Sequence, residues 1–337
     1  SDPISLLYFG KLPGRGDFVR STTHPALIQS LDRWLSSGIE LMAEDAHWKG
    51  IYDQADASHF AMISPHRHTA VAGHIVPSMD LSGRRFPFLT VAAIESEQGA
   101  DLMALGPLMF QPAWLTLADA AARARRATEE EVPGVLAELG QMPLPGLQTA
   151  RDAQQAFQRF LDVSTLAGLQ RELSAAGGAV DVRQILLALG LLLQPLMNSG
   201  GQVIEKGLCL PLPRDESSRF AVAAFWMNVV SRFLVRNTHD LTLFLPRGIN
   251  HRPCLMIGFS AGAANVLHGL FDPRVTPEVF ISLDASPWVE DYVANDYALK
   301  KLSTYLLTPQ ISLAQLLTSF QEAFLGSLSL IHISEPT

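Results

Sequence analysis

Along this chain the spacing of apolar residues alternates between the two-residue period of strands and the 3.6-residue period of helices. Residues 4–9 are short, β-branched and aromatic, and predict a strand. Thr23-His24-Pro25 predicts a helix start with proline at an early position. Leu27, Ile28, Leu31, Trp34, Leu35, Ile39 and Met42 then recur at helical spacing. Residues 44–52 read as a linker anchored to the core by Trp48 and Tyr52. Residues 60–64, 70–76 and 86–94 predict strands. The first two are joined as a hairpin through residues 65–69, and the third is apolar enough to be central and covered on both faces. Residues 112–127 predict an Ala-rich helix ending in Arg123, Arg125 and Arg126, where cations suit the helix dipole.

The middle of the chain is helical in pattern. Glu129-Glu130-Glu131 favours a helix start, Pro143 and Pro145 mark a break, and residues 150–176 and 180–197 are long periodic segments separated by Gly177-Gly178. Asn198-Ser199-Gly200-Gly201 ends the second. Alternation then returns, with strands expected at 207–210, 241–245, 254–259 and 279–283 and helices at 220–234, 263–270, 289–302 and 313–325. Strands alternating with helices predict an α/β fold, a sheet layered by helices. The expected division is an N-terminal α/β domain at 1–127, a helical segment at 128–205 and a C-terminal α/β part at 206–327. Residues 328–337 are set aside as a non-native tail, because their last eight residues read like a translated adapter.

Composition narrows the classes. The chain has 337 residues, 17% charged and 48% hydrophobic, with net charge −8. That length supports a core without disulfide staples, and the acidic balance disfavours a general nucleic-acid binder. Cys209 and Cys254 are the only cysteines, which points to a reducing cytoplasm rather than a disulfide framework. No secretory leader pattern opens the sequence. The most apolar run, residues 185–197, is interrupted by Gln194 and Pro195 and is too short to span a bilayer, so it predicts a buried helix.

Two loops carry the candidate chemistry. Gly10-Lys11-Leu12-Pro13-Gly14-Arg15-Gly16-Asp17-Phe18 follows the first strand, and Pro77-Ser78-Met79-Asp80-Leu81-Ser82-Gly83-Arg84-Arg85-Phe86-Pro87 precedes another. Glycines and prolines give both loops defined shapes. Neither contains a P-loop or the three-glycine dinucleotide fingerprint. Asp17 and Asp80 are expected to accept backbone N–H bonds in turns. A turn held by Asp80 and Gly83 would present Arg84 in one orientation, suited to a carboxylate or phosphate.

Elsewhere, Gly258-Phe259-Ser260-Ala261-Gly262 matches a nucleophile elbow between a strand and a helix. Asp284 is a candidate acid. His268 precedes it, however, and the only later histidine is His332 in the suspect tail, so no general base is in a credible place. His66, His68 and His74 share no nearby Cys, Asp or Glu that would complete a metal set.

The opening Tyr8-Phe9-Gly10-Lys11-Leu12-Pro13 with Arg15-Gly16-Asp17-Phe18-Val19, followed by Pro77-Ser78, Asp80, Gly83-Arg84 and Phe86-Pro87, resembles the TagF (ImpM) family of type VI secretion accessory proteins. Trp34, Trp48, Tyr52 and Phe60 also sit where that family places aromatics, and the likeness is strong over residues 4–95. The resemblance implies a three-layer α/β/α sandwich with a mixed sheet. It also implies a cytoplasmic, non-enzymatic, post-translational repressor of type VI secretion. Such a protein would need no cofactor or metal, insert in no membrane, bind no nucleic acid, and engage the forkhead-associated scaffold protein Fha. Lys11, Arg15, Asp17, Phe18, Ser78, Asp80, Arg84 and Phe86 are the expected partner surface. Charge reversal at Arg15 and Arg84 is expected to weaken scaffold binding without changing the thermal melt. A serine hydrolase using Ser260, or a structural subunit of the secretion apparatus, are the alternatives.

Overall fold

A computed structural model describes residues 4–95, 99–145, 149–198, 204–234, 239–247 and 252–333. In chain order the elements are β1 (Leu7–Gly10), β2 (Val19–Arg20), α1 (Pro25–Met42), α2 (Trp48–Asp53), β3 (Ser58–Ser64), β4 (Thr69–Val76), β5 (Phe88–Glu95), α3 (Gly99–Arg126), α4 (Val132–Gln141), α5 (Ala150–Val163), α6 (Leu166–Ala175), α7 (Val182–Leu193) and α8 (Pro195–Asn198). Then come β6 (Gly207–Pro211), α9 (Glu216–Ser231), β7 (Leu241–Pro246), β8 (Cys254–Gly258), α10 (Ala264–Phe271), α11 (Thr276–Val279), β9 (Phe280–Ser282), α12 (Val289–Asn295), α13 (Tyr297–Tyr305) and α14 (Leu313–Ile333).

The described strands form one nine-stranded sheet in the order β2-β1-β5-β4-β3-β7-β8-β6-β9. Every pairing is antiparallel except β6 with β9, so the sheet is mixed. β3 pairs with β7 from Ser58↔Pro246 to Ile63↔Leu241, which carries one sheet through both ends of the chain. Side chains alternate across it as a strand's period requires. Leu89 and Val91 of β5 face the layer of α1, α2 and α10, beside Trp34, Tyr52, Phe244 and Leu267. Phe88, Ala92 and Ile94 face the other way, onto Phe110, Trp114 and Leu117 of α3 and Phe225 and Trp226 of α9. Buried residues of α5, α7 and α14 thicken that second side. The fold is the expected α/β/α sandwich with a mixed sheet, and β5 lies buried between β1 and β4.

Several local expectations need correction. The helix expected to open at Pro112 begins at Gly99 and runs through Pro107 and Pro112. Each proline removes one helical hydrogen bond, but the apolar stripe from Leu102 to Ala124 packs on the sheet and holds the helix together. The segment expected as one helix from 150 is two, broken at Ser164-Thr165, where the Thr165 hydroxyl caps α6 by accepting from the Gly168 N–H at 3.1 Å. Asp296 likewise splits the segment 289–302, accepting from the Leu299 N–H at 3.0 Å. The linker 44–52 contains the start of α2, and β2 was not anticipated. The run 185–197 falls on α7 and α8, with Ile185 to Gly190 buried throughout. No helix among the described residues is long and apolar enough to cross a membrane. Residues 199–201 of the Asn198–Gly201 cluster, and 334–337, lie outside the described residues.

Candidate functional site: two loops locked by one buried aspartate

The two loops leave the same end of the sheet and meet. Gly10 has φ 133°, and a Cβ there would stand 2.0 Å from the Pro87 carbonyl oxygen, so only glycine lets the loops approach this closely. The Lys11 N–H bonds to that carbonyl at 3.3 Å. Further out, the Leu81 N–H donates to the Arg15 carbonyl at 2.7 Å, and Arg84 Nη2 donates to the Gly16 carbonyl at 2.9 Å.

Asp80 organises the contact from inside. Its Oδ1 accepts from the backbone N–H groups of Ser82 (3.0 Å) and Arg84 (2.9 Å), which sets the turn around Gly83 at φ 81°. Its Oδ2 takes Arg84 Nε at 2.7 Å and Lys11 Nζ at 3.3 Å. Burial alone would raise the Asp80 pKa. The Arg84 N–H and the Lys11 and Arg84 side chains outweigh it and hold the carboxyl below its ordinary range. Lys11 also lies over the Phe18 ring, 4.9 Å from its centroid. Phe9, Phe18 and Phe86 pack as a trio, with Phe18 and Phe86 edge to face at 4.9 Å. Behind them the Tyr52 hydroxyl donates to the Ser78 carbonyl at 2.8 Å and accepts its N–H at 2.9 Å.

The eight expected site residues therefore come together but divide into two groups. Lys11, Ser78, Asp80 and Phe86 are buried and form the bracket, out of a partner's reach. Arg15, Asp17, Phe18 and Arg84 are exposed and form a rim. Asp17 accepts only the neighbouring Phe18 N–H among the described residues, at 2.7 Å, and takes no part in linking the loops. Arg15 makes no salt bridge among the described residues. Arg85 turns away from both loop carboxylates and grips Asp53 of α2 with two bonds at 2.7 and 2.6 Å. Two rim members were missed: Met79 and Leu81, 37% and 54% exposed. The available signal was a large aliphatic at the tip of a polar Asx turn, where no burial rewards it.

The other candidates disperse. Ser260 follows β8, but its φ is not positive, so it lacks the strained conformation of a nucleophile elbow. His268 Nε2 faces Asp272 at 3.9 Å, and Asp284 pairs with Arg252. His66 lies in the hairpin turn and His68 just after it. His74 turns inward instead, its Nδ1 3.1 Å from Nδ1 of His59. No group of three or more His, Cys, Asp or Glu that could hold a metal occurs among the described residues.

Residues 8–142, which contain both loops, match the family model described as the TagF N-terminal domain, type VI secretion system-associated. No curated protein matches the chain. Among solved structures, the crystal structure of PA0076 from Pseudomonas aeruginosa PAO1 is similar at 18% identity and a TM-score of 0.47, covering 80% of this chain and 94% of that one. The locked loops therefore lie in a TagF N-terminal domain, type VI secretion system-associated, that spans residues 8–142 of this chain.

Proposed function

We propose that the chain is a cytoplasmic repressor of type VI secretion that works by binding another protein, an Fha-type scaffold, through the exposed rim of the two loops. The observation that carries this reading is the asymmetry around Asp80. A buried carboxylate with four donors fixes the turn, and Arg15, Phe18, Leu81 and Arg84 stand exposed around it, with Asp17 exposed beside them. Preorganised loops lose little conformational entropy on docking, and guanidinium groups beside exposed apolar side chains are typical of binding hot spots. Ser260 supports chemistry less well, because His268 and Asp284 are engaged elsewhere.

Arg84 is a poor choice for a clean test, because its Nε is bonded to buried Asp80. Its reversal would place two carboxylates together and lower the melt as well as any binding. Arg15→Glu with Leu81→Asp avoids this. The double variant should keep the wild-type melting temperature and lose capture of the scaffold in a pull-down. Full retention of capture by a folded double variant would end the proposal.

A further inference from the structure

We propose that the cleft between the C-terminal end of α3 and the N-terminal end of α9 binds a small phosphorylated molecule through Arg125, Arg126 and Arg247. The cleft is a cavity of about 550 Å³ whose lining includes His74, Asp119, Arg125, Arg126, Glu216 and Arg247. That volume is within the range of small-molecule sites. Charge in and around it is unbalanced. Glu216 takes Arg247 Nη2 at 3.2 Å and lies 3.9 Å from Arg219 Nη1. Arg125 and Arg126 make no salt bridge among the described residues, while their neighbour Arg123 pairs with Glu138. Four guanidinium groups thus stand against Asp119 and Glu216. Planar guanidinium forks match phosphoryl oxygens in pairs.

A second observation points to the same place. His59 is 2% exposed, and its Nε2 has no hydrogen-bond partner. His59 lines a separate space of about 10 Å³ with Arg219, Glu216 and Arg247, the last two of which also line the cleft. Such a space takes about one water. We assign His74 as the donor from Nδ1 to His59 Nδ1, which leaves the His59 proton on Nε2 as a buried donor. An unmet buried donor is costly, and a water held between it and a phosphoryl oxygen would satisfy it. The N-terminal end of α9 adds a favourable dipole. The C-terminal end of α3 opposes it, and Arg125 and Arg126 counter that in turn. The rim of the two loops is close by, since a Cβ on Gly14 would stand 3.0 Å from the Ala127 carbonyl, just past α3.

Isothermal titration of the full chain with inorganic phosphate and with pyrophosphate, at ionic strength held by chloride, tests this without any partner protein. Saturable binding is expected, tighter for pyrophosphate. It should weaken at least tenfold in Arg126→Ala with Arg247→Ala, at an unchanged melt. Glu216→Gln should bind several-fold more tightly, because it releases Arg247 and Arg219; arginines that serve only to offset the α3 dipole would show no such gain. The ¹⁵N shift of His59 Nε2 should move on titration. Absence of saturable binding, equal binding by the double variant, or binding of a phosphoserine peptide but of neither free anion would overturn the proposal.

Discussion

Asp80 is the residue whose removal should be felt most widely. It is buried beside Lys11, and breaking a buried ion pair from one side leaves an uncompensated charge. Asp80→Ala should destabilise the chain by on the order of 3 kcal/mol, read as a lower denaturant midpoint at unchanged slope. The His59–His74 pair makes a different prediction. Burial first, and the nearby positive charges after it, push both imidazoles down, His74 to about 3. Between the ordinary value of 6.5 and that lower one, the unfolded chain takes up protons that the folded chain refuses. The His74 contribution to stability is therefore complete above pH 6.5 and is lost as pH falls toward 3, by up to about 1.4 kcal/mol per pH unit, and His59 acts in the same direction. His74→Gln should flatten the measured dependence of stability on pH over that window. Asp80 could be read from its loop because an Asx turn is a local device. The histidine pair could not: His59 and His74 are fifteen residues apart and meet only through the β3–β4 register.

At the scale of elements, the close approach of β1 and β5 depends on Gly10. Gly10→Ala meets both a positive φ and the Pro87 carbonyl. The conformation alone costs roughly 1–3 kcal/mol, and the clash must also part the loops. The melt should fall, and amide exchange at Leu81 and Arg84 should speed up. Periodicity located most strands and helices to within a few residues, since each buries a face at its own period. It failed where long-range packing overruled a local rule, as at Pro107 and Pro112 inside α3. It also failed where one capping side chain divided a continuous pattern, as at Thr165 and Asp296.

At the scale of the whole molecule, the sheet is shared by both ends of the chain. A fragment ending at residue 142 would leave the β3 edge without β7, and Trp34 without its stacking partner Phe244 at 6.2 Å. Such a fragment should lack a cooperative thermal transition and near-ultraviolet circular dichroism, whereas independent folding would show that β7 is dispensable. No local pattern announces this pairing, because β3 and β7 lie far apart in sequence. The rim's two loops were legible from residue types and the family motif. Which of their side chains face outward was not, because that depends on the depth at which Asp80 is buried. The most direct measurement is site-specific photocrosslinking in the secreting host, with a benzophenone residue at Leu81 and, as a control, at Val163, which is 80% exposed on α5. An adduct with the Fha-type scaffold from position 81 and none from 163 is the predicted result. A scaffold adduct from 163 alone, or from neither position, would contradict it.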